Sequence, residues 1–170
     1  MTFRCTGKTR QKLGLRPAQL APTPPIPSRT DWHCNVVTML RRPFYLFAHT
    51  HSLFAFLAPT SGASRPNLFA DMFREQALRS LAEEGVSDAA ARVIIDDTSD
   101  VFCRATDRRV IGTMVDHAHM SRAVFEQEGS TDSAVLGMVR DLINSSPMSV
   151  LGMQSPRESL WDVLRASGAG

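Results

Sequence analysis

Between Arg108 and His119 the chain gathers two arginines, one aspartate and two of its five histidines: Arg108, Arg109, Asp116, His117 and His119. Those types supply an anion clamp, a carboxylate and imidazoles that titrate near neutrality, the equipment of acid–base chemistry. The segment reads as a helix, capped by Thr106 or Asp107 and running to about Gln127. Successive helical residues turn by about 100°, so His117 and His119 point about 160° apart and cannot grip one ion, unlike an i, i+4 pair. The apolar stripe reads as Val110, Ile111, Met114, Val115, Ala118 and Phe125, with a histidine on each flank. Asp116 falls on the side of Arg109 and Thr113. That side is either a solvated Asp–Arg face, the preferred reading, or part of a cleft completed by sheet residues.

Two other clusters carry chemistry. His49 and His51 would share one face of a strand and could bind zinc with His33 or Cys34. Thr50 and Ser52 make the segment look instead like a hairpin turn, and no spacing supplies the remaining ligands. In Trp32-His33-Cys34-Asn35, alternation puts His33 and Asn35 on one face and Trp32 and Cys34 on the other. Trp32 is read as core, and Asn35 as an amide that ties down a loop. Gly7-Lys8-Thr9 resembles the end of a phosphate-binding loop, but Thr2 stands where the first glycine of Gly-x-x-x-x-Gly-Lys-Ser/Thr must be. The cradle of backbone N–H groups cannot form. No serine lies in Gly-x-Ser-x-Gly, and no cysteine has a base on its own face evident from sequence, His33 and Cys34 being on opposite faces of the strand.

The net charge of +2 conceals an asymmetry. Residues 1–43 hold eight Lys/Arg against Asp31 alone, giving +7, whereas residues 44–170 hold eleven against sixteen acids, giving −5. A basic end can recognise an anionic partner, or it can be a solvated edge that balances acidic helices. Arginine outnumbers lysine 17 to 2, a bias that suits phosphate recognition but is global enough to reflect genome composition. Cys5, Cys34 and Cys103 are odd in number and lack metal-type spacing, which points to a reducing cytoplasm. Phe44 to Ala58, the longest apolar region, is interrupted by His49 and His51 and falls short of the roughly 20 residues of a membrane span. The basic N-terminus lacks the apolar stretch of a signal peptide.

These residues need elements to position them. Thr2–Thr6 reads as a strand, followed by a polar helical turn through Leu13. Arg16 to Thr30 carries Pro17, Pro22, Pro24, Pro25 and Pro27, half of the prolines, and is expected to be a mobile loop. Trp32–Leu40 and Phe44–Ala48 form a hairpin about Arg41-Arg42-Pro43, and Leu53–Leu57 a further strand. Asn67 would cap a helix with Phe69, Met72, Phe73, Ala77 and Leu81 on one stripe, closed by Gly85. Ser87 or Asp88 opens a shorter helix to about Asp97, and Val101–Ala105 is a last strand. Asp132 opens a helix to about Asn144. Ser155-Pro-Arg-Glu158 is a capping box for a final helix, Pro156–Ala166. Strands first and helices later predict a single α+β domain over residues 1–170. Its small antiparallel sheet of about four or five strands would lie mainly in the N-terminal half, packed by about five helices mainly from the C-terminal half.

Trp32-His-x-Asn35, Leu46-Phe47, Leu53-Phe54, Arg109-Val-Ile-Gly-Thr-Met-Val-Asp116 and Pro147-Met-Ser-Val-Leu-Gly152 occur in an order that resembles an uncharacterised bacterial domain family, a domain of unknown function. The resemblance covers nearly the whole chain and implies a small α+β domain of bacterial or phage origin, with no catalytic residues to carry over. It also implies Asn where Val115 stands and an aromatic where His117 stands.

The expectation is a cytoplasmic, non-enzymatic domain that binds a macromolecular partner, possible nucleic acid included, without cofactor or membrane. Its binding candidates are Asn35, Arg41 and Arg42. The alternative is a hydrolase or transferase acting on a phosphorylated substrate, with Arg109 as anion clamp and Asp116 or His33 as acid–base group. His49 and His51 are the metal candidates.

Overall fold

The alternation that splits Trp32 and Cys34 from His33 and Asn35 runs through a five-stranded sheet, and both of its faces are covered. The computed structural model describes residues 1–95 and 98–168. The strands are β1 (Thr2–Cys5), β2 (Asp31–Met39), β3 (Arg42–His49), β4 (Ala55–Pro59) and β5 (Val101–Arg104), in the order β4-β3-β2-β1-β5. The helices are α1 (Gly7–Lys12), α2 (Pro66–Glu83), α3 (Asp88–Ala91), α4 (Arg108–Glu128), α5 (Ser133–Ser145) and α6 (Pro156–Arg165). The α+β class stands, with four of the five strands before residue 60. No helix among the described residues is long and apolar enough to cross a membrane.

The sheet is mixed, which corrects the antiparallel expectation. β2, β3 and β4 form the antiparallel meander that the sequence announces, but β1 runs parallel to both β2 and β5. Parallel neighbours need a long crossover, and residues 6–30 supply one between β1 and β2. Its helix, α1, is too short and polar to show a period, so a β-α-β unit hid behind the proline-rich stretch. That stretch lies along the outer edge of β5: Ala21 N–H donates to the Phe102 carbonyl at 2.9 Å and Thr23 Oγ1 to the Arg104 carbonyl at 3.1 Å. An edge strand so occupied offers no template for another chain.

One face of the sheet is aromatic. Phe3, Trp32, Tyr45, Phe47 and Phe56 pack under Phe69 and Phe73 of α2, many as edge-to-face pairs such as Phe47–Phe73 at 4.9 Å. The opposite face is aliphatic, where Val37, Met39, Leu46 and Leu57 meet α4 and α5. Burial on both sides explains why Phe44–Ala58 reads as a continuous apolar run rather than an alternating one. Glu84, just past α2, binds Arg157 of α6 through Nε at 2.5 Å and Nη2 at 3.2 Å, and lies 3.4 Å from Arg140 Nε of α5.

Local signals place most helix ends. Asp107, Asp132 and Ser155 cap α4, α5 and α6, and Ser155 and Glu158 close the capping box reciprocally. α2 starts at Pro66 behind Arg65 rather than at Asn67, because proline's fixed φ suits the first helical position. α3 ends at Ala91; the expected end at Asp97 lies outside the described residues. The β2–β3 turn is Leu40-Arg41 alone, with Arg42 and Pro43 already in β3. Both turn residues have positive φ, 44° and 64°, the backbone of a tight hairpin turn that asparagine and glycine prefer.

Candidate functional site

Three segments that are distant in sequence meet where the first turn of α4 crosses the start of β2. The centre is Thr50, 1% exposed, in the turn after β3. Its Oγ1 donates to the Asp31 carbonyl at 2.8 Å, and its backbone N–H reaches the same oxygen at 3.0 Å. With that hydroxyl proton engaged, His33 Nδ1, 3.1 Å away, must donate to Thr50 Oγ1. His33 is therefore protonated on Nδ1, and its buried Nε2 is a bare acceptor without a partner among the described residues. Arg109 Nη2 donates to the Thr50 carbonyl at 2.6 Å. Asp31 is held by Arg4 at 2.7–2.8 Å, both nearly fully buried, and by Ser28 Oγ at 2.6 Å. Burial, reinforced by the Arg4 charge, pushes the His33 pKa down to about 4, so the ring is neutral near pH 7.

Of the candidates, Arg109 and Asp116 line the same groove, whereas His33 lies under α4 and does not line it. Asn35 is engaged elsewhere, accepting at 2.8 Å from Thr6 Oγ1, the residue that caps α1. It fixes a loop as its amide suggested, through a side chain rather than a backbone group. Arg41 is exposed at the hairpin tip, and Arg42 Nη1 donates to Thr131 Oγ1 at 3.2 Å.

The remaining histidines have structural surroundings. His49 ends β3, and its rings' two nitrogens are both used: Nε2 donates to the Arg29 carbonyl at 2.8 Å, while Nδ1 takes Ser52 Oγ at 2.8 Å and the Ser52 N–H at 3.3 Å. His51 Nε2 donates to the Ser28 carbonyl at 3.1 Å. Burial lowers the His49 pKa to about 4. No group of three His, Cys, Asp or Glu side chains among the described residues is arranged for a metal.

His117 corrects the helical-stripe reading. The inward stripe of α4 is Val110, Thr113, Met114, His117, Ser121 and Phe125, so His117 sits in the stripe and not on its flank. Thr113 turns inward and donates to the Arg109 carbonyl at 3.1 Å, while Val115 is 47% exposed. Neither ring nitrogen of His117 has a hydrogen-bond partner among the described residues, and burial alone lowers its pKa to about 4.

The groove, of about 420 Å³, runs between the outer side of α4 (Arg108, Arg109, Gly112, Asp116) and the turn from Ser146 to Val150 that joins α5 to α6. The motif stretches Arg109–Asp116 and Pro147–Gly152 thus face each other across it. Sequence reasoning missed Thr50, which was read only as a turn residue, and the pairing of those two stretches; nothing local signals either.

A mixed sheet between two helical layers, with a buried polar centre under the first turn of its longest helix, defines a small α+β domain. The chain belongs to the family described as a domain of unknown function, DUF6933, whose model matches residues 2–159. No curated protein matches the sequence.

Proposed function

We propose that this chain is a non-enzymatic binding domain that holds an anionic macromolecule, nucleic acid, at the basic end of its sheet. The observation that carries this reading is the placement of α1 beside β2. Lys8 and Lys12 border the same shallow depression as Val36 and Thr38. Thr38 pairs with Pro43, and the turn just beyond projects Arg41, with Arg42 next to it. Lys8, Lys12 and Arg41 have no hydrogen-bond or ion-pair partner among the described residues, so their charge is uncompensated by direct contact. Arg4 contributes nothing to this surface, because Asp31 neutralises it in the interior. Asp132 borders a depression with Arg42 and limits the basic surface on that side. The alternative of a phosphorylated-substrate enzyme with Arg109, Asp116 and His33 in one pocket draws less support, because Arg109 and Asp116 share a groove that His33 does not line. The three cysteines are free and buried, which suits a reducing cytoplasm.

The test is fluorescence anisotropy with labelled single- and double-stranded DNA and RNA over a salt series. Backbone contacts by about four cations predict a slope of log K against log salt of about −3 to −4. Lys8→Glu with Lys12→Glu should flatten the slope by about two. Absence of binding at low salt refutes the reading.

A further inference from the structure

We propose that the groove between α4 and the α5–α6 turn is a docking site for an acidic peptide segment of a protein partner, one that also carries an apolar side chain. Gly112 opens the argument. It lies inside α4, is exposed, and a Cβ built on it meets no atom within 4 Å. Glycine within a helix costs about 1 kcal/mol relative to alanine. Packing within the chain does not demand that cost, since a methyl group would fit freely. A bare backbone here instead lets a second chain approach the helix closely.

The walls specify the chemistry. Arg108 has no hydrogen-bond or ion-pair partner among the described residues, and Arg109 has only Thr50, which anchors one end of its guanidinium. Together they outweigh Asp116, the single acid lining the groove. Met120, Met148 and Val150 form its apolar part, with Val150 47% exposed. Methionine surfaces adapt to varied apolar side chains. An occupant with carboxylates over the two arginines and an apolar side chain against the methionines matches this order. The groove opens to solvent, as an extended chain requires. Its arginines and Gly112 lie in the first turns of α4, whereas the basic hairpin meets the chain just past the other end, where Arg42 reaches Thr131. A 21-residue helix is about 31 Å long, so the two surfaces can be tested apart.

The experiment selects phage-displayed random dodecapeptides on the full chain and measures the enriched peptides by fluorescence anisotropy. The expected sequences combine Asp or Glu with Leu, Met or Phe. Arg108→Glu and Gly112→Leu should each weaken binding at least about tenfold, and Gly112→Ala should leave the fold as stable or more so. Duplex DNA should not displace the peptide. Enrichment without an acidic–apolar pattern overturns the proposal, as does undiminished binding by Gly112→Leu and Arg108→Glu. Complete displacement by millimolar inorganic phosphate assigns the groove to a small anion and overturns it equally.

Discussion

Replacing His117 by phenylalanine tests how the interior of this domain handles charge. The imidazole sits on the inward stripe of α4 with both nitrogens unpartnered among the described residues, and burial holds its pKa near 4 against 6.5 when exposed. Because the folded value is depressed, the unfolded chain binds the extra proton between those limits. The stability tied to this group is complete above pH 6.5 and is lost as the pH falls towards 4. From pH 7.5 to pH 5 that loss is about 2 kcal/mol, at about 1.4 kcal/mol per tenfold change in proton affinity. His33 and His49, also buried with pKa values lowered to about 4, add losses of the same sign. His117→Phe removes the His117 share alone. It also exchanges two polar atoms, unpaired among the described residues, for a ring of similar shape. At pH 7.5 relief of the unpaired nitrogens, worth about 1–3 kcal/mol, opposes the cost of the larger ring. The discriminating quantity is therefore the difference between the two pH values. Urea unfolding followed by circular dichroism at pH 7.5 and pH 5 gives it directly. The variant should retain about 2 kcal/mol more of its stability on acidification. An unchanged pH dependence refutes the reasoning.

Two further outcomes follow from particular contacts. Asn144 is buried and serves the outer edge of β4 as a neighbouring strand would, accepting from the Ala55 N–H and donating to the Ala55 carbonyl, both at 2.8 Å. Asn144→Asp faces a carboxylate to that carbonyl and should cost about 3–5 kcal/mol in guanidinium unfolding, a loss below about 1 kcal/mol being incompatible with the bonding described. Leu40→Asn with Arg41→Gly suits the positive φ of the hairpin turn and should raise stability by about 1 kcal/mol per site. The same change should weaken DNA binding through loss of Arg41; a variant no more stable than the native chain would deny the strain.

Much of the domain was legible because it is decided within a few residues. Asp107, Asp132 and Ser155 cap their helices through N–H groups two or three positions on, so the residue types suffice. The alternation around Trp32 separated the two faces of the sheet, and the missing glycine at Thr2 ruled out a phosphate loop. The stripe of α4 was half legible: its period was right, but the sheet determined which flank turned inward, taking Thr113 and His117 and leaving Val115 outside. The parallel partners of β1 were hidden, because its hydrogen bonds go to two segments that follow it about 30 and 100 residues later.

By itself, then, the sequence determined the class, most of the helix starts, the antiparallel meander and membership of a family matched over residues 2–159. The tertiary structure alone decided that Thr50 joins Asp31, His33 and Arg109, that Asn144 completes the edge of β4, and that Gly112 opens onto a groove walled by the turn after α5. The physical reason is range. A cap or a period is set by neighbours within one or two turns, whereas Arg109 finds Thr50 across 59 positions and Asn144 finds Ala55 across 89. Such contacts exist only after both faces of the sheet have been buried, and no local pattern encodes them.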